Sequence, residues 1–115
     1  MIPAMDSALS ALSALGKKMD VTANNVANID TEGFKKSRAD LQEAGHGVTV
    51  SISRVNTPGA PIPAGDGTGK MNESSNVDEA EEIVNLKTTD IAFQANLKTI
   101  QTEGKILGSI LDIFG

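Results

Sequence analysis

The chain has no cysteine, no tryptophan and no tyrosine, and only three phenylalanines in 115 residues. Without cysteine there is no disulfide framework, no thiolate metal site and no cysteine nucleophile. Without large aromatics, a core has to be built from Leu, Ile, Val, Met and Ala, which suits helix seams better than a thick globular centre. Positive charge is also in short supply: 10 Lys plus Arg face 15 Asp plus Glu, and residues 76–115 alone carry three basic and seven acidic groups. Lys17 with Lys18, and Lys35, Lys36 and Arg38, are too few to build the clustered basic surface that neutralises phosphates, so nucleic acid is not an expected partner. No apolar run approaches the ~20 residues that span a bilayer, so direct membrane insertion is not expected. Residues 1–16 are rich in Ala and Leu but carry Asp6 and lack a basic leading segment, so they do not read as a cleaved secretory signal. A chain of this length is one small domain burying a modest share of its surface, and its stability can depend on partners.

What is present is helical periodicity at both ends. Met5, Leu12, Met19 and Val26 fall seven apart, flanked by Leu9 and by Ala8, Leu15 and Ile29, which predicts an amphipathic helix from Ile2 to about Asn28. Asn24, Asn25 and Asn28 followed by Asp30-Thr31-Glu32-Gly33 predict its end and a turn, since Asn and Gly tolerate left-handed backbone. The polar stretch after Phe34, as far as Glu43, fits either helix or loop. Val48, Val50 and Ile52 alternate with Thr49, Ser51 and Ser53, the pattern of a half-buried strand between Gly47 and Val55. Residues 56–72 hold Pro58, Pro61 and Pro63 with Gly59, Gly65, Gly67 and Gly69, and read as a loop, with or without a second short strand. From Ser75 the helical period returns. Ser75 or Asn76 is the expected cap, with Asp78 or Glu79 closing a capping box and the acids to Glu82 facing the helix dipole. Leu86, Phe93, Ile100, Leu107 and Phe114 then follow at intervals of seven.

Three features invite chemistry and have plainer explanations. Gly65-Asp66-Gly67-Thr68-Gly69-Lys70 resembles a phosphate loop, but that motif needs Gly where Ala64 stands and Ser or Thr where Met71 stands, so a connector is expected. His46 is the only histidine, and with no second imidazole and no thiolate it reads as a turn residue rather than a zinc ligand. The acids from Asp78 to Glu82 are accounted for by the helix start. No catalytic residue, metal or cofactor is expected, and the chain does not read as an enzyme.

The words themselves resemble a known family. Thr22-Ala23-Asn24-Asn25-Val26-Ala27-Asn28-Ile29-Asp30-Thr31-Glu32-Gly33-Phe34-Lys35 is similar to the N-terminal signature of the bacterial flagellar basal-body rod and hook proteins. Ser75-Asn76-Val77-Asp78, Glu82-Ile83-Val84-Asn85-Leu86, and Ala92-Phe93-Gln94-Ala95-Asn96 resemble that family's C-terminal motif. The chain departs from it at Lys87, where an apolar residue is usual, at Asp90-Ile91, where the family has Gln-Arg, and at Phe93 in place of Tyr. The resemblance implies a structural subunit that leaves through the flagellar type III export apparatus without a cleaved signal. It further implies assembly into the periplasmic rod with copies of itself and other rod and hook proteins.

The resulting expectation is a mainly α fold. Two long terminal helices, in segments 1–30 and 75–115, form an antiparallel helical hairpin or coiled coil around a small β-containing insert, 31–74. Met5, Leu12, Met19 and Val26 are expected to face Leu86, Phe93, Ile100 and Leu107 along the pairing seam. Asn24, Asn25, Asn28, Thr31, Gly33, Phe34, Ser75, Asn76, Val77, Phe93, Ala95 and Asn96 carry the family motif and its assembly role. The rival reading is a cytosolic helical binding module, such as a flagellar export chaperone or regulator, holding a partner helix on the same seams.

Overall fold

The computed structural model describes residues 2–115. It shows two terminal helices around a β insert, in a molecule 79 × 23 × 16 Å along its principal axes. Helix α1 (Ile2–Ala27) is followed by strands β1 (Ser37–Ala44) and β2 (Gly47–Arg54), two three-residue strands β3 (Pro61–Pro63) and β4 (Met71–Glu73), and helix α2 (Glu79–Phe114). At 1.5 Å per residue, the helices are about 39 and about 54 Å long. α2 returns alongside α1 and outruns it, leaving Ile113 and Phe114 largely in water.

β1 and β2 form an antiparallel hairpin in register from Ser37↔Arg54 to Ala44↔Gly47. The polar stretch that fitted helix or loop is therefore a strand from Ser37. Its own residues favour strand weakly, and pairing with Val48, Val50 and Ile52 decides its state. The hairpin lies along α1: Ser10 Oγ accepts from Val48 N at 3.0 Å, and Ser7 Oγ donates to the His46 carbonyl at the hairpin tip. Gly47 permits this approach, because a Cβ there would run into the Ser10 side chain. β3 and β4 make a second, smaller antiparallel pair. Their connecting turn is the Gly65–Lys70 segment, where Asp66 Oδ1 accepts from Thr68 N and Oγ1 at 3.0 and 2.6 Å. These bonds hold the exposed Asp66 carboxyl below its ordinary pKa.

Two helix-end expectations are corrected. Asp78, not Ser75 or Asn76, caps α2, accepting from Glu81 N at 3.1 Å. No residue other than glycine has positive φ among the described residues, so Asn24, Asn25 and Asn28 end α1 without left-handed backbone. Asn28 instead accepts from Thr31 Oγ1 at 3.1 Å and donates to Asn24 O at 2.9 Å. The left-handed residue of this turn is Gly33, with φ +70° and its N–H donating to Glu73 O at 2.9 Å. A β-branched side chain there meets the left-handed steric penalty directly. Gly33→Val is expected to lower the unfolding free energy by about 2 kcal/mol. An unchanged urea midpoint would remove the turn argument.

Candidate functional site

The chain's polar residues converge where α1 ends and α2 begins. Asn25, in the last turn of α1, is 1% exposed. Its Oδ1 accepts from Ser37 N at 3.0 Å, and its Nδ2 donates to Ser37 O at 2.8 Å and to Glu82 Oε1 at 3.2 Å. One amide thus joins α1, the first residue of β1 and the first turn of α2. Asn76 does the same one layer out. Its Oδ1 accepts from Lys36 N at 2.7 Å, its Nδ2 donates to Val55 O and Thr57 O at 2.9 Å, and its N–H donates to Phe34 O at 3.2 Å. Ser75 Oγ accepts from Val77 N at 3.1 Å and fixes the approach to α2. Lys35 pairs with Glu73 at 2.6 Å and Lys36 with Glu81 at 2.9 Å, closing the rim. Lys35, through its hydrogen bond and charge, holds the Glu73 carboxyl below its ordinary pKa.

Asn25, Ser75 and Asn76 therefore lie in one junction, with Phe34 and Val77 half-buried there, while Asn28 and Thr31 bond to each other in the turn leading to it and Gly33 is tied to Glu73. Asn24 is exposed there. Phe93, Ala95 and Asn96 lie further along α2 and take no part. Asn96 donates to its own helix at Ala92 O, 2.8 Å away.

The pairing seam is displaced from the expected one. Leu86, Leu107 and Val26 are exposed, with 42%, 38% and 45% of their surface open to water. Met5, Leu12, Met19, Phe93 and Ile100 are half-buried. The fully buried positions on α2 are Glu82 and Thr89, and on α1 they are Ala8, Ala14, Leu15, Thr22 and Asn25. Each residue turns about 100° around a helix, so Glu82 and Thr89 sit roughly 40° from the Leu86 column. Two contacts set this roll. The Asn25–Glu82 bond turns α2 at its first turn. On α1, the side bearing Ser7, Ser10 and Asn25 is taken by the hairpin, which leaves the Ala8, Leu15 and Thr22 column to α2.

In the sequence Glu82 is one acid of the helix start and the first residue of the motif segment Glu82–Leu86, and nothing in its spacing sets it apart from Glu79 or Glu81 as a buried residue. Its 2% exposure does. Oε1 has Asn25, while Oε2 is buried with no hydrogen-bond partner. Burial pushes the Glu82 carboxyl above its ordinary pKa, the Asn25 hydrogen bond acts in the opposite sense, and the nearby Glu81 charge adds to the rise. A carboxyl raised on folding favours the folded state fully below its ordinary pKa, and that contribution is lost as pH rises through the raised value. Glu82→Gln is accordingly expected to flatten this part of the profile, because the titrating group is gone. Urea midpoints measured from below to above the ordinary carboxyl range read this, and an unchanged pH dependence in the variant would show that Glu82 does not shape it.

The arrangement holds three segments together, α1, the start of β1 and the first turn of α2. No group of acids or His able to hold a metal occurs among the described residues. Comparison with known proteins agrees with a structural part. Residues 5–35 match the family described as flagella basal body rod protein, and residues 68–113 match the C-terminal family of the flagellar basal body rod FlgEFG proteins. The chain is 31% identical over 117 residues to the flagellar basal-body rod protein FlgC of Salmonella typhimurium, covering 84% of this chain and 85% of that one. It is 29% identical to FlgC of Buchnera aphidicola over 126 residues, covering 90% of each. The likeness to the hook protein FlgE of Borreliella burgdorferi, 38% over 58 residues, spans half of this chain and 12% of that one. By these matches at both ends and along its length, the chain belongs to the flagellar basal-body rod protein family.

Proposed function

We propose that the chain is a structural subunit of the flagellar rod whose paired terminal helices, an antiparallel coiled-coil hairpin, pack against copies of itself and other axial proteins. The observation that carries this is the apolar surface the hairpin leaves uncovered. The β1–β2 hairpin occupies one side of α1, and the cleft beside it is bounded on α2 by Glu81, Glu82 and Asn85. On the opposite flank α1 presents Leu9, 52% exposed, with Met5, Leu12 and Met19, and α2 presents Ile83, Leu86, Phe93 and Leu97. Such a face on a small protein marks an interaction surface.

In this reading the chain passes through the flagellar export apparatus to the periplasmic rod, and it has no enzymatic activity. The junction at Asn25 and Asn76 fixes the angle at which the helices enter the assembly. Fractionation of basal bodies tests the proposal. Recovery of the protein with rods supports it. Purely cytosolic recovery with an export substrate would favour a chaperone or regulator instead.

A further inference from the structure

In an antiparallel pair, alternate residues turn their N–H and C=O toward the partner strand, and the residues between them turn both groups outward. The Lys36 carbonyl accepts from Val55 N, so Lys36, Arg38, Asp40 and Gln42 face β2, and Ser37, Ala39, Leu41 and Glu43 present their main chain on the opposite edge. The first outward position is filled. The Asn25 side-chain amide accepts from Ser37 N and donates to Ser37 O, the same two bonds that a third strand would make. Beyond it the edge is open: β1 has no second neighbouring strand, and the outward groups of Ala39, Leu41 and Glu43 have no partner among the described residues.

The open edge borders a cleft of about 360 Å³, in which Lys36 to Asp40 form one wall, α1 the floor, and Glu81, Glu82 and Asn85 of α2 the facing wall. The Lys36–Glu81 ion pair closes its junction end. On the floor stands Lys18, half-buried and without an ion pair among the described residues. It lies seven residues before Asn25, about 10 Å back along α1. At about 3.3 Å per residue, β1 covers the same distance between Ser37 and Asp40. Lys18 is therefore level with the open positions Ala39 and Leu41. An unpaired strand edge is a template for another strand, and a half-buried amine beside it favours a carboxylate on that strand.

We infer that the outer edge of β1 takes an extended segment of another axial protein as a third strand, which brings an aspartate or glutamate to Lys18. Main-chain bonds to Ala39 and Leu41 attach the segment, and the acid fixes its register. The strand site rests on the open edge and on Lys18, whereas the partner's place in the rod rests on the rod reading. A second copy does not supply this strand. Its own β1 edge is recessed in the same cleft. The outer edge of its β2 is tied to Ser10 at Val48 N and carries Arg54 but no acid, and Glu73 of its β4 is held by Lys35.

The test uses the full-length protein and a blocked peptide, Val-Thr-Glu-Thr-Val, as the probe. Saturable shifts of the Ala39 and Leu41 backbone amide resonances are expected, with slower exchange of those amides. Ala39→Pro removes the outward N–H and keeps the ladder bonds of Arg38 and Asp40, since proline is tolerated where an edge N–H faces solvent. It should weaken the peptide and lower incorporation into rods, each about tenfold, with an unchanged circular dichroism spectrum. Lys18→Met should weaken the same peptide about tenfold and leave unchanged the binding of a peptide with Gln in place of Glu. A purely structural role for Lys18 would not separate the two peptides, and this comparison still decides if Ala39→Pro fails to fold.

No shift at Ala39 and Leu41 overturns the proposal, and so does equal binding of the Glu and Gln peptides by the parent chain. Dimerisation of the purified parent that Ala39→Pro abolishes would also overturn it, because the strand would then come from a second copy. If the protein is recovered with rods but ignores the peptide, the strand site fails alone. Peptide binding by a protein absent from rods would sink the rod reading and the axial partner with it.

Discussion

Asn25→Ala is expected to lower the unfolding free energy by about 3 kcal/mol, the largest loss from any single truncation in the junction. The substitution removes one side chain and strands three groups: the N–H and carbonyl of Ser37 and Oε1 of Glu82. Leaving a buried polar group unpaired costs about 1–3 kcal/mol, more when the group is charged, and water entering the space offsets part of that. Glu82 would lose its only side-chain hydrogen bond among the described residues. For a small domain holding about 5–15 kcal/mol, this approaches unfolding at physiological temperature. Asn24→Ala, one residue away and exposed, should shift the urea midpoint by less than about 0.5 kcal/mol. Far-ultraviolet circular dichroism of both variants decides the matter, and equal midpoints would mean that the junction does not hold the helices together.

The two helices and the strand Gly47–Arg54 were legible because period is written locally: seven-residue columns for the helices, alternation for Val48, Val50 and Ile52. The junction was legible as words, Asn24-Asn25 and Ser75-Asn76-Val77, without its mechanism. Which amide of Asn24 and Asn25 turns inward depends on where β1 begins, and β1 was hidden. Arg38, Asp40, Gln42 and Glu43 form a strand because β2 lies beside them, a nonlocal cause that composition does not carry. The seam was misplaced for a related reason. Periodicity finds the apolar columns, but the roll of the helices follows nonlocal contacts: the hydrogen bond of Asn25 to Glu82 and the packing of the β1–β2 hairpin along α1. Polar residues, Thr22, Asn25, Glu82 and Thr89, share the buried positions with Ala8, Ala14 and Leu15, while Leu9, Ile83 and Leu86 are exposed, and periodicity alone does not carry that division.

That division gives the second large effect. Leu86→Asp is expected to leave the isolated fold within about 0.5–1 kcal/mol of the parent, because the side chain is already 42% exposed and faces away from the hairpin. In the assembled rod the same carboxylate would be buried against a neighbour's apolar face without a partner, at several kcal/mol for each contact it enters. Repeated in every subunit, that penalty should abolish rod incorporation and motility. Leu9→Asp, on the α1 side of the same face, should behave alike. Ile100 is half-buried between the helices, so Ile100→Asp should instead lose the fold first, with a lowered urea midpoint in the purified protein. Lys98→Asp, exposed on α2, is the control expected to change neither property. The four variants are compared by circular dichroism of the purified chains and by motility complementation. Should Leu86→Asp swim normally, the open face is not an assembly surface. Should it unfold like Ile100→Asp, the Leu86 column belongs to the pairing seam after all.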